Sequence, residues 1–393
     1  MTRILTFAVF FSLMVSLVGG AHYYVWARLV RDPGLPEGFA RFLGYGLVVL
    51  FAAIPASLFL RRSSIAGALE PLVWVAMTWL GFLFFLVLAV GAADLARGLW
   101  QLGRTLGDVP PLAPDRRQAV ARILAGVAAI AGAALGGFAT RSGLGRVALR
   151  RVDVTLARLP RSLNGTRIVQ LSDVHVGPTI HRGFIETIVA QCNALEPDVV
   201  AITGDLVDGS VEDLAEHVAP LAQLRAKYGV FFVTGNHEYY SGAEAWCTEL
   251  TRLGIRVLRN EHVSIGEGAE SFDLAGVDDH SAHSFGNGHG EDLDKALAGR
   301  DPQRELVLLA HQPKAILKAQ DMGVGLQLSG HTHGGQLWPW TYLVRLQQPV
   351  VAGLHRFKES LVYVSCGTGY WGPPMRLGAP SEITNLVLKS ASA

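Results

Sequence analysis

The sequence predicts an α/β domain over residues 151–393, preceded by an all-α transmembrane region of about four helices over residues 1–150. Three observations carry that prediction. No Asp, Glu, Lys or Arg occurs in Ile4 to Ala27, Phe42 to Leu60, Pro71 to Ala93 or Ile123 to Thr140. After Arg150 and Arg151, short β-rich apolar runs alternate with helical patterns. Five polar motifs each follow one of those runs: LSDVHVG (Leu171 to Gly177), GDLVDG (Gly204 to Gly209), GNHE (Gly235 to Glu238), the His311 of AHQP, and SGHTHGG (Ser329 to Gly335).

The four uncharged runs approach or exceed the ~18 residues that span a bilayer core. They raise the apolar fraction of the chain to 50% and hold charged residues to 17%. The first run has one Arg3 before it and His22, Tyr23, Tyr24 and Trp26 at its end, which reads as a retained membrane helix with an interfacial aromatic belt rather than a cleaved signal. The second contains Pro55, tolerable where neighbours satisfy the freed backbone. The fourth, rich in Ala and Gly, suits close packing on another helix. Together they make a multi-pass protein of a bacterial inner membrane the expectation.

Orientation is weakly encoded. Arg28, Arg31, Arg41, Arg97, Arg104, Arg116, Arg117 and Arg122 fall on one side, against Arg3, Arg61, Arg62, Arg141, Arg146, Arg150 and Arg151 on the other. The segment DRRQAVARILAG (Asp115 to Gly126) resembles an export signal, which places the C-terminal domain outside the cytoplasm.

Cys192, Cys247 and Cys366 are scattered, so they read as buried thiols rather than a disulfide framework. A net charge of +1 gives no case for nucleic-acid binding. The uncharged spans argue against an ion or proton pathway.

In the C-terminal domain, strands are expected at Thr166 to Leu171, Asp198 to Thr203, Gly229 to Thr234, Ser271 to Val277, Glu305 to Ala310, Gly325 to Leu328, Leu361 to Ser365 and Ile383 to Leu388. Helices are expected at Arg182 to Leu195, Glu212 to Lys227, Ala243 to Leu253, Asp292 to Leu297 and Lys314 to Gln320. The polar motifs then lie in loops past strand ends, where open α/β sheets gather ligands.

Those loops carry metal-binding chemistry. Asp173 and His175, two residues apart at a strand end, can converge on one ion as a hard oxygen and an imidazole nitrogen. Asp205 offers two oxygens that suit bridging two ions, while Asp208 reads as a turn or cap residue. Asn236 as a neutral oxygen ligand leaves the adjacent His237 free to act as a general acid. Glu238 reads either as orienting that imidazole or as a solvated carboxylate. His311, His331 and His333 supply three imidazoles from two further loops. The mixed oxygen and nitrogen set suits two divalent ions, Mn²⁺, Fe or Zn²⁺.

The motif order DxH, GDxxDG, GNHE, H, GHTHGG resembles the calcineurin-like metallophosphoesterase superfamily, and GHTHGGQ with AHQP looks like its bacterial membrane-associated phosphodiesterase branch. The resemblance covers about Val152 to Leu388. It implies a four-layer α/β/β/α sandwich. It also implies that Asp173, His175 and His333 hold one ion and Asn236, His311 and His331 the other, with Asp205 bridging and His237 catalytic. Such a pair of ions supplies an activated hydroxide and neutralises charge on the phosphoryl oxygens.

Four membrane helices suggest a phosphodiester substrate in or near the bilayer, such as a lipid or lipid-linked nucleotide. Gln336, Trp338, Trp340, Trp371 and Arg376 would form the lip of the cleft, with Arg376 pairing with phosphate. The insert Ser281 to Gly290 reads as a flexible loop bordering it. The alternatives are a monoesterase or nucleotide phosphodiesterase acting on soluble substrates, and a receptor or transporter whose domain only binds.

Overall fold

The computed structural model describes residues 2–60, 70–110, 112–286 and 288–391. Arg61 and Arg62 of the loop charge count, and Asn287 of the insert, lie outside the described residues. The chain divides into two compact units, Met1–Arg141 with Gly372–Met375, and Ser142–Trp371 with Arg376–Ala393.

Among the described residues, the first unit contains four helices long and apolar enough to cross a membrane. They are α1 (Thr2–Trp26), α2 (Glu37–Leu60), α3 (Glu70–Leu106) and α4 (Pro114–Gly143). Each matches one of the uncharged runs, α1 to within one residue, and extends past it at one end or both, because charged residues are tolerated once a helix leaves the apolar layer. A π-helical turn, Ala27–Arg31, continues α1. There Arg28 reaches Asp94 of α3 at 2.8 Å, and Tyr24 donates to the same carboxylate. Within the apolar stretch, Trp79 Nε1 donates to His22 Nε2 at 2.8 Å, joining α3 to α1. Gly132 and Gly136 let α4 approach α3 closely, since a Cβ at either would strike Leu86 or Phe82. That is the small-residue packing expected of the fourth run.

The second unit is built from two six-stranded sheets. The first comprises β1 (Ala148–Leu156), β2 (Arg167–Leu171), β3 (Val199–Thr203), β4 (Val230–Val233), β5 (Arg256–Val257) and β12 (Glu382–Ser390), in the order β1-β12-β2-β3-β4-β5. The second comprises β6 (Glu261–Glu267), β7 (Glu270–Gly276), β8 (Leu306–Leu309), β9 (Leu326–Ser329), β10 (Gly353–Phe357) and β11 (Ser360–Val364), in the order β10-β11-β9-β8-β7-β6. Because β1 begins at Ala148, it straddles residue 150.

Alternation along the strands makes the layers. On β8, Val307 and Leu309 face a core shared with Ile168, Val199 and Ala201 of the opposite sheet, while Leu306 and Leu308 face outward. The outward side is covered by α9 (Leu293–Ala296) and α10 (Ile316–Ala319) through Leu293, Ala296 and Ala319. On the first sheet, Val169, Leu171, Val200 and Ile202 face α5 (Arg182–Ala194), α6 (Val211–Val218) and α8 (Ala243–Arg252). The result is the expected α/β/β/α sandwich.

The helix expected over Glu212 to Lys227 stops at Val218 and continues only as a 3₁₀ turn, Ala219–Gln223. Pro220 is responsible, since it cannot donate to the α-helical ladder. A six-residue helix not foreseen, α7 (Asn236–Ser241), begins inside the GNHE motif. All three cysteines are buried and free.

Candidate metal centre

Strands β2, β3 and β4 run parallel in one sheet, and β8 and β9 run parallel in the other. Their carboxyl ends therefore bring LSDVHVG, GDLVDG, GNHE, AHQP and SGHTHGG together at one edge of the sandwich. Gln170 ties the two sheets there, its Nε2 donating to Thr203 Oγ1 at 2.8 Å and to the Ser329 carbonyl at 2.9 Å.

The backbone at these strand ends is unusual. Asp173, His175, Asp205, His331 and His333 all adopt left-handed φ, between 51° and 69°. A non-glycine residue pays about 1–3 kcal/mol for such a conformation, which persists only where its surroundings enforce it. The turn swings each side chain from the sheet plane toward a common point. Space for this comes from two glycines: a Cβ at Gly235 would strike Asp205 Oδ1, and one at Gly330 would strike Asp173 Oδ2.

Two groups of donor atoms result. In the first, His175 Nε2 lies 3.0 Å from His333 Nε2, and His333 Nε2 lies 3.5 Å from Asp173 Oδ1. In the second, Asp205, His311 and His331 gather, with His311 Nε2 3.1 Å from Asp205 Oδ2. That same Asp205 oxygen lies 3.9 Å from His175 Nε2, so it faces both groups. Asn236 opens α7 beside them.

The donor set fits cations. Asp173 Oδ2, Asn236 Oδ1 and His311 Nε2 are buried without a hydrogen-bond partner; the two oxygens are electron-pair donors, and the nitrogen becomes one once it loses its proton. His311 Nδ1 donates to the Thr203 carbonyl at 2.8 Å, which leaves Nε2 of the neutral ring as the nitrogen with a free lone pair. Burial opposes charge on His311, yet the Asp205 and Asp173 carboxylates hold it protonated well above its ordinary range. A cation between these groups would compete with that proton. Burial likewise raises the Asp173 carboxyl above its usual pKa.

His237 stands beside these groups, its backbone N–H donating to Asp205 Oδ1 at 2.9 Å. Its Nδ1 donates to Asp208 Oδ1 at 2.6 Å. Burial works against protonation of His237, but Asp205 and Asp208 override it and raise its pKa to about 9. Tyr240 and Trp371 meet the ring edge-on, with centroids 5.5 and 5.6 Å away.

Two carboxylates do more than the sequence indicated. Asp208, expected as a turn residue, accepts from both His175 Nδ1 (3.1 Å) and His237 Nδ1, so one oxygen orients two imidazoles. Burial opposes its charge, and the two histidines nonetheless hold its carboxyl far below the usual range. Glu238 neither orients His237 nor meets solvent. It is fully buried and accepts the backbone N–H groups of Asp205, Leu206, Val207 and Gly235. Burial and the neighbouring Asp205 charge raise its pKa to about 7. The second carboxylate of GDxxDG and the acid of GNHE were the available signals, but their partners could not be read from them.

Arg376, expected to pair with phosphate, lies elsewhere, and Gln336 lies beside Trp371. Arg376 is fully buried, and its guanidinium donates to the carbonyls of His333, Cys366, Gly367, Gly369 and Ala379. Its Nη2 lies 3.3 Å from His333 Nδ1, so it braces the loop behind a ligand candidate and does not face an incoming phosphate. Gln336 exchanges two hydrogen bonds with the backbone of Trp371 at 2.9 and 3.0 Å, which fixes Trp371 beside His237. The insert expected as a flexible loop carries a 3₁₀ turn, His280–Phe285, whose Ala282 and Phe285 pack on Tyr239 of α7.

Comparison with known proteins agrees with this architecture. A family profile described as calcineurin-like phosphoesterase matches residues 166–335. A Danio rerio protein named transmembrane protein with metallophosphoesterase domain is 37% identical over 99% of this chain and 91% of its own length. This chain belongs to the metallophosphoesterases. A Bos taurus protein of the same name is 39% identical over 94% of this chain and 86% of its own length. An uncharacterized metallophosphoesterase of Helicobacter pylori is 41% identical over 63% of this chain and 65% of its own length. The likeness is therefore not confined to bacteria. Membership makes the chain a metal-dependent phosphoester hydrolase of a family that uses divalent metals.

Proposed function

We propose that this metallophosphoesterase hydrolyses a phosphodiester of a lipid or lipid-linked nucleotide at two divalent ions. Residues 1–150 would anchor the chain in a membrane, and residues 151–393 would catalyse. Asp173, His175 and His333 would hold one ion and Asn236, His311 and His331 the other, with Asp205 placed to serve both. The carrying observation is the set of buried acceptors without partners, Asp173 Oδ2, Asn236 Oδ1 and His311 Nε2. Three loops that each bury an unpartnered polar atom at one place suit a cation that would satisfy them.

When bound, the ions supply Lewis acidity toward the phosphoryl oxygens and an activated hydroxide. The chain does the rest. Asp208 fixes the His237 ring through Nδ1, so Nε2 delivers the proton to the leaving oxygen, a step worth typically ~10²–10⁴-fold in rate. In the metal-free protein Asp205 and Asp208 raise the His237 pKa to about 9, and Asp208, paired with Nδ1, favours the protonated ring whether or not ions take up the Asp205 charge. Tyr240 and Trp371 wall the ring and suit an organic leaving group. Four membrane-length helices and relatives named transmembrane proteins support a substrate at the bilayer. The export-like Asp115 to Gly126 segment supports a catalytic unit outside the cytoplasm, which a reporter fused after Ala393 tests.

The test of substrate class uses the full-length protein loaded with Mn²⁺. Bis(p-nitrophenyl) phosphate is expected to be turned over faster than p-nitrophenyl phosphate, and lipid extracts to release a phosphorylated head group. Faster turnover of the monoester would replace the diester reading with the monoesterase one.

A further inference from the structure

The segment from Gln336 to Val351 leaves the GHTHGG loop and carries a concentration of exposed apolar side chains. Trp338 is 54% exposed, Tyr342 58%, Leu343 48% and Leu346 81%. Helix α11 (Thr341–Val344) buries none of its residues. A soluble surface rarely gathers aromatic and aliphatic side chains this way without a use for them. The segment belongs wholly to the second unit.

Its composition points to one environment. QLWPWTYLVRLQQPVV contains no acidic residue and a single charge, Arg345. Arg345 is exposed and sits over the Tyr342 ring at 5.7 Å. Trp and Tyr favour the boundary between headgroups and acyl chains, where one end of the side chain is apolar and the other wet. Leu343 and Leu346 add short apolar contacts, and a lone arginine complements anionic headgroups. A protein partner would equally cover apolar surface, but it gives no reason for excluding every acidic residue. The chain also carries four membrane-length helices, so a bilayer is always within its reach.

We infer that the Trp338 to Leu346 segment is a lipid-docking surface that seats the catalytic unit on the headgroup layer of a bilayer containing anionic phospholipid. The segment adjoins the site directly. Trp338 N–H donates to the Leu377 carbonyl, and Gln336 holds Trp371 beside His237. Docking here presents the cleft to headgroups at the membrane surface. The inference rests on the membrane reading of the four helices and not on which phosphoester is cleaved.

The test places nitroxide labels on the full-length protein in nanodiscs of phosphatidylethanolamine and phosphatidylglycerol. Labels go on Trp338→Cys, Leu346→Cys and, as an aqueous reference on α5, Glu186→Cys. The three native cysteines are buried and do not compete for label. Collision with oxygen is expected to exceed collision with aqueous nickel chelate several-fold at 338 and 346, with the reverse at 186. Adding Arg345→Glu to Leu346→Cys is expected to shift that label toward water. Labels at 338 and 346 as exposed to the nickel chelate as the label at 186 would overturn the inference. So would labels shielded from both quenchers, which would mean a protein surface covers the segment. A variant that fails to reconstitute is replaced by Leu343→Cys, which reports on the same face. The readout involves no turnover, so failure of the diester reading would leave it standing.

Discussion

Asp208 Oδ1 lies 2.6 Å from Nδ1 of His237, and the same oxygen receives Nδ1 of His175 at 3.1 Å. One carboxylate therefore orients a metal-ligand candidate and the candidate acid together. Removing it as Asp208→Ala is predicted to weaken metal affinity about 10–100-fold, as loss of an outer partner of a ligating imidazole does. Turnover is predicted to fall further than metal loss explains, because His237 loses its orientation and its raised pKa. Asp208→Asn retains an acceptor and should fall between. Metal titration and steady-state kinetics on the same preparations separate the two effects.

Glu238 receives four backbone N–H groups from two metal-site loops. In Glu238→Ala these buried donors lose their acceptor, at about 1–3 kcal/mol for each one left unsatisfied. The expected outcome is a lower Tm in detergent, with loss of metal because Asp205 sits on the loop that Glu238 holds. A Tm unchanged from the parent protein would show that Glu238 does not hold these loops.

Metal removal should destabilise the second unit selectively. A ligand bound only by the folded state stabilises by about 2.7 kcal/mol at a concentration of 100 Kd. Chelation is therefore predicted to lower the Tm, and Mn²⁺ to restore it, in the wild type but not in Asp205→Asn.

Much of the fold was legible because interior strands announce themselves. All eight strands expected from the sequence appear, and the four not foreseen, β1, β5, β6 and β10, are the four sheet edges. An edge strand meets solvent on one flank, so its residues are mixed: GLHRF of β10 and EHVSIGE of β6 lack the apolar run of VVAIT in β3. At the site, residue types and strand-end placement were legible in Asp173, His175, Asp205, Asn236, His237, His311, His331 and His333, which the fold gathers. Side-chain direction was not. Arg376 reads as a phosphate ligand by charge, yet its partners are carbonyls exposed by the turns around Gly367 and Gly369. Glu238 turns to backbone amides across the chain because α7 starts at Asn236, a helix too short for periodicity to reveal.

The central claim is that these loops form a metal-dependent phosphoester hydrolase centre in this chain. Its most direct test is the initial rate of bis(p-nitrophenyl) phosphate hydrolysis by full-length, Mn²⁺-loaded protein, measured for the wild type, His237→Ala and Asp205→Asn. The account predicts turnover in the wild type, a loss of about 10²–10⁴-fold in His237→Ala, and no metal-dependent rate in Asp205→Asn. Equal rates in all three proteins would contradict it.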